Sequence, residues 1–127
     1  MRRIIFKTNG SYRLMEPAIF KIKYNAFVRE AKSYAKTIFC VSNVKIDDGF
    51  FPGTTDSLKE FCKIIYQVAQ ENQVEYIALN EWQTQFQWSE IYGNDHYHPN
   101  HEGYNLIGAF LAEQMLRVSN AHFDLRS

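Results

Sequence analysis

The hydrophobic positions of this chain alternate between two rhythms, short apolar runs and stripes at helical spacing. Ile4-Ile5-Phe6 is a short run that predicts a buried strand, closed by the polar turn Asn9-Gly10-Ser11. Pro17 suits a first helical position, and Phe20, Tyr24, Phe27, Val28, Ala31 and Ala35 follow mostly at spacings of three and four, one face of an amphipathic helix. Residues 37–41, nearly all apolar and rich in β-branched side chains, predict a second strand. A turn-rich loop follows over residues 43–55. Ser57 and Glu60 then fit a capping box, opening a helix with Leu58, Phe61, Ile65, Val68 and Ala69 on its apolar face and its end near Asn72. Residues 75–79 predict a third strand. Residues 80–99 read as a polar and aromatic loop, too long for a plain connection and so functional rather than idle. Asn100 can cap a last helix with Tyr104, Ile107, Leu111 and Met115 on its buried face. Residues 1–118 are expected to form one domain and residues 119–127 a frayed tail.

Strands alternating with helices predict an α/β fold, a parallel sheet with right-handed crossovers and helices on its faces. Ligands of such sheets bind beyond the carboxyl ends of the strands. Asn9, the loop after the second strand and the 80–99 loop would all gather there, on one rim.

Composition narrows the function. The chain has 127 residues, 46% of them hydrophobic and 16% aromatic, which suits one folded domain rather than a disordered segment. Fourteen basic residues balance fourteen acidic ones, so no electrostatic footprint for nucleic acid or an anionic membrane is present. Cys40 and Cys62 are isolated, form no metal-ligand spacing, and read as buried thiols. No apolar stretch approaches a membrane span, and the N-terminal apolar run is too short for a signal peptide, so the expected location is cytoplasmic.

The chemistry concentrates in Asp95-His96-Tyr97-His98-Pro99-Asn100-His101-Glu102-Gly103-Tyr104. A histidine serves as a general base near neutral pH, and a carboxylate on its other ring nitrogen fixes its tautomer and direction. Asp95, three residues before His98, can turn back to do so, and Pro99 restricts His98 to extended geometry. The bland alternative is a polar loop with a capped helix. His96, His98 and His101 invite a metal reading, which their spacing and the lack of a second acid-rich cluster disfavour. Trp82, Phe86, Trp88 and Tyr97 would either line a substrate groove or cover the sheet edge.

Asp95, His98, Pro99, Asn100, Gly103 and Tyr104 match, position by position, a terminal D-x-x-H-P segment followed by a helix beginning N-x-x-G-Y. In this the chain resembles the later half of an SGNH (GDSL-type) hydrolase, a serine esterase superfamily with a flavodoxin-like, three-layer α/β/α fold. The resemblance implies His98 as general base and Asp95 as its orienter. It also implies Asn9, in Lys7-Thr8-Asn9-Gly10, as an oxyanion donor where the family has G-x-N-D; an ordinary Asn-Gly turn fits that string equally well. The family's Gly-Asp-Ser turn has no counterpart. Thr55-Asp56-Ser57-Leu58 imitates it, but no strand immediately precedes Ser57, which reads as a helix cap instead. The implied function is a segment of an acyl-ester hydrolase whose serine lies elsewhere, acting on carbohydrate-linked or lipid esters without metal or organic cofactor. The alternative is a non-catalytic remnant or binding module of the same fold. A parallel sheet lacking its first strand exposes an edge, so self-association or a partner chain is expected.

Overall fold

The structure is a computed structural model and describes residues 15–124, with side chains as far as Ala121. The strand expected at Ile4-Ile5-Phe6 and the Asn9 turn lie outside the described residues. The element order is α1 (Pro17–Ala31), β1 (Phe39–Val41), α2 (Thr54–Asn72), β2 (Glu75–Ile77), α3 (Leu79–Trp82), a 3-10 turn (Gln83–Gln85), α4 (Trp88–Ile91) and α5 (His101–Asp124). The chain is thus an α/β protein with a small parallel sheet: β1 pairs with β2, Phe39 opposite Glu75, Cys40 opposite Tyr76 and Val41 opposite Ile77. Its contacts divide into two compact units, one up to Thr84 and one from Gln85 onward.

The first unit is a strand–helix–strand crossover with α1 added. Val28, Cys40, Ile64, Ile65, Val68 and Ala69 form its core, and Phe20, Tyr24, Val74 and Tyr76 pack against it. Burying each of the larger side chains contributes about 1.5–3 kcal/mol. Phe20 ties the two helices by stacking on Tyr24 at 5.3 Å and meeting Phe61 edge-on at 5.0 Å. The end of α2 is anchored to α1. The Asn72 amide donates to Asn25 Oδ1 at 2.7 Å, and Lys32 Nζ donates to the Asn72 carbonyl at 2.7 Å, a cation where the helix dipole favours one. Both cysteines are buried and unbridged.

Three expectations are corrected by this architecture. Ser57 does not cap α2, which starts at Thr54 after Gly53 in the left-handed region at φ 87°. The orphan N–H of Thr55 is taken by Asp48 Oδ1 at 2.9 Å, from the preceding loop, so the capping carboxylate comes from seven residues upstream. Residues 80–99 are not one open loop. Two four-residue helices and a 3-10 turn occupy much of it, and the Glu90 carboxylate accepts the Gln87 N–H at 2.6 Å to start α4. The last helix does not fray at Ser119. No glycine or proline follows Gly108, and α5 continues to Asp124.

The second unit is α4, the loop after it and α5. Asn100 caps α5 as its sequence suggests, its Oδ1 accepting the Gly103 N–H at 2.7 Å. The buried face of α5 is shifted from the expected one: Leu106, Ile107, Phe110 and Leu111 are half-buried, whereas Tyr104 and Met115 are exposed.

Candidate active site

Asp95 and His98 sit in a tight loop whose ends are held together. Tyr92 and Pro99 form an antiparallel bridge, and the Gly93 N–H donates to the His98 carbonyl at 3.0 Å. Within this clasp the chain reverses through a Gly93–His96 turn, the His96 N–H donating to the Gly93 carbonyl at 3.1 Å. His96 itself is left-handed, φ 57°, which is uncommon for a residue with a Cβ.

The reversal aims two successive backbone N–H groups, of Tyr97 and His98, at Asp95 Oδ1, each at 3.0 Å. Asp95 Oδ2 is left for the imidazole, and His98 Nδ1 lies 2.7 Å from it. That is the length of a charge-assisted hydrogen bond. A carboxylate cannot donate, so the proton on this bond belongs to Nδ1 and Nε2 is the basic nitrogen. The His98 ring and then the two backbone N–H groups stabilise the ionised carboxylate, lowering Asp95 from 3.8 to about 2. The pair is open to solvent, with side-chain exposures of 67% for His98 and 53% for Asp95.

Asn100, two residues after His98, fixes the loop to the helix. The Asn100 N–H donates to the Ile91 carbonyl at 2.7 Å and its side-chain amide to the Tyr92 carbonyl at 3.2 Å, while its Oδ1 caps α5. Asn100 therefore joins both ends of the Asp95–His98 loop to the first turn of α5. Sequence reading found the cap but missed the other two bonds, because backbone partners eight and nine residues back leave no residue-type signal.

Of the candidate residues, Asp95 and His98 are brought together, and Asn9 lies outside the described residues. The three histidines do not converge; among the described residues no group of three or more His, Cys, Asp or Glu could hold a metal ion. Of the four aromatics, Tyr97 meets the His98 ring with centroids 4.8 Å apart and planes at 67°, and Trp88 packs on Tyr92 at 4.5 Å.

The first unit holds a cleft of about 1080 Å³ at the strand ends, where an α/β sheet is expected to bind its ligands. It opens beyond the carboxyl ends of β1 and β2, lined by the chain after each strand (Val44 and Ile46, Ala78 and Asn80) and by α2. None of the four aromatics lines it. At its strand end the Ser42 hydroxyl donates to Asn80 Oδ1 at 2.7 Å and accepts the Asn80 N–H at 2.9 Å, joining the two strand exits. Cys62 also borders the cleft, but burial pushes its thiol upward, which keeps it protonated and a poor nucleophile. No helix among the described residues is long and apolar enough to cross a membrane.

The α/β fold has a counterpart among solved structures. The lipase/acylhydrolase from Enterococcus faecalis superposes with a TM-score of 0.71 at 22% sequence identity, over 81% of this chain and 53% of that one. The chain thus spans about half the length of that protein. At this identity the likeness establishes the fold and not the chemistry. No protein-family model matches the chain, and no curated protein matches it.

Proposed function

We propose that the chain carries the general-base half of an SGNH-type serine ester hydrolase. The observation that carries this reading is the 2.7 Å contact between His98 Nδ1 and Asp95 Oδ2. His98 Nε2 takes the proton of a serine hydroxyl as its oxygen attacks an ester carbonyl, and returns it to the leaving alcohol. Asp95 stays ionised throughout, orients the ring and stabilises the imidazolium. Asn9 donates its side-chain N–H to the oxyanion. The substrate is an acyl ester, carbohydrate-linked or lipid. The attacking serine comes from residues outside this sequence, on a longer chain or a partner chain. The acylhydrolase-like fold and the D-x-x-H-P-N-x-x-G-Y string support this assignment.

The test needs the nucleophile-bearing residues present. The parent polypeptide is expressed, or the partner added, and hydrolysis of 4-nitrophenyl acetate is measured together with labelling of serine by a fluorophosphonate. His98→Ala is expected to remove both, and Asp95→Asn to slow hydrolysis by about 10⁴, the penalty for holding the wrong tautomer. Full activity in His98→Ala would leave the chain as a binding module of the same fold.

A further inference from the structure

We infer that Tyr97 is a positioning residue for His98: its ring, held against the imidazole by the loop's own backbone bonds, keeps Nδ1 on Asp95 and Nε2 the basic nitrogen. The inference rests on the reading of His98 as general base and adds a residue to it. The need for such a residue comes from exposure. Two-thirds of the His98 side chain is open to solvent, so water competes for the bond to Asp95. A half-turn about Cβ–Cγ would present a ring carbon to the carboxylate in place of Nδ1, and one hydrogen bond opposes it.

The Tyr97 ring supplies a second restraint. Its centroid is 4.8 Å from that of His98 at an interplanar angle of 67°, within the favoured range of edge-on aromatic pairs. Sequence neighbours in extended backbone point to opposite sides and cannot meet this way. Here the chain bends through residues 96–98 after the left-handed His96, which brings the two rings together. The Tyr97 N–H is bonded to Asp95 Oδ1, the same carboxylate that holds the imidazole through Oδ2. Backbone, acid and both rings are therefore linked through Asp95, Tyr97 and His98 themselves. Tyr97 is itself 46% exposed and is not one of the buried core residues.

The experiment is carried out on the full chain, labelled with ¹⁵N-histidine. Two-bond ¹H–¹⁵N correlations report which nitrogen of His98 bears the proton. The wild type is expected to show a single tautomer with the proton on Nδ1, and Tyr97→Phe the same. Tyr97→Leu and Tyr97→Ser, checked for an unchanged backbone amide spectrum, are expected to raise the minor tautomer about two- to tenfold, the factor an aromatic pair of this geometry supplies. His98 signals in both ring-less variants identical to wild type would overturn the inference, as would Tyr97→Phe behaving like Tyr97→Leu. Asp95→Asn, run in parallel, separates the two levels: an unaltered His98 tautomer in that variant defeats the orienting role of Asp95, loss of esterase activity in His98→Ala tests the general-base reading, and the Tyr97 variants decide the positioning role.

Discussion

Gly103 approaches Ile91 so closely that a Cβ added to it would stand 2.1 Å from the Ile91 carbonyl oxygen and 2.9 Å from the carbonyl carbon. The obstacle is backbone, which cannot rotate aside as a side chain can. Gly103 is what allows the first turn of α5 to lie on the end of α4, and that contact sets the span bridged by the Asp95–His98 loop. Gly103→Ala is therefore expected to destabilise the chain by about 2 kcal/mol through overpacking. Gly108, on the same helix, has nothing within 4 Å of its would-be Cβ. Gly108→Ala should stabilise by up to about 1 kcal/mol from helix propensity alone. Urea unfolding of the two variants checks both signs, and equal effects would refute the close-approach account.

Asp95 should remain ionised far into acid. Its pKa falls from 3.8 to about 2 because the His98 ring and two backbone N–H groups bond the carboxylate. A depressed folded value means that the stabilisation is complete above the unfolded value and is lost as pH falls through about 2. A ¹³C titration of the Asp95 carboxyl should show a midpoint near that value in the wild type. In His98→Ala the midpoint should rise toward the ordinary 3.8, because the largest cause has been removed.

Capping of α2 should depend on Asp48 and not on Ser57. Asp48→Ala leaves the Thr55 N–H without its carboxylate and is expected to cost about 1 kcal/mol, as loss of a side-chain cap does. Its bond to the Thr55 N–H also lowers the Asp48 pKa below 3.8, so this contribution is present at neutral pH and fades as acid protonates the group. Ser57 lies inside the first turn, and Ser57→Ala should change stability by less than about 0.5 kcal/mol. Thermal unfolding of the two variants at pH 7 and pH 3 distinguishes them.

Asn100→Ala should reach further than a simple cap deletion. The substitution removes the bond to the Gly103 N–H and the bond to the Tyr92 carbonyl together. A loss above the usual 1 kcal/mol or so of a cap is expected, with faster amide exchange at Gly103. Asn100→Asp retains the acceptor for Gly103 and loses the donor to Tyr92, so its urea midpoint should fall between those of wild type and Asn100→Ala.

The parts of the fold and site that were legible in the sequence are those written in short-range patterns. D-x-x-H in a loop, Asn100 before a helix, and Leu58, Ile65 and Val68 at helical spacing all depend on neighbours within a few residues. The Ser57 misreading has the same origin. Ser-x-x-Glu is a valid local signal, but Asp48 reached Thr55 from the loop and started the helix earlier. Helices of four residues, such as α3 and α4, are too short for periodicity to register. The exposed Tyr104 and Met115 show a further limit, since apolar spacing on α5 offered two overlapping stripes and packing selected the one through Leu106 and Phe110. The α/β pattern pointed to the strand ends where the cleft beside α2 lies, but not to its lining, because the walls come from segments up to forty-one residues apart, Asn43 to Thr84, with no shared motif.

The hydrogen bonds that turn Asp95 toward His98 and clasp the ends of their loop join residues between Trp88 and Tyr104. The instructions for those bonds fit within seventeen consecutive codons. A segment so short carries these bonds with it wherever its codons are joined.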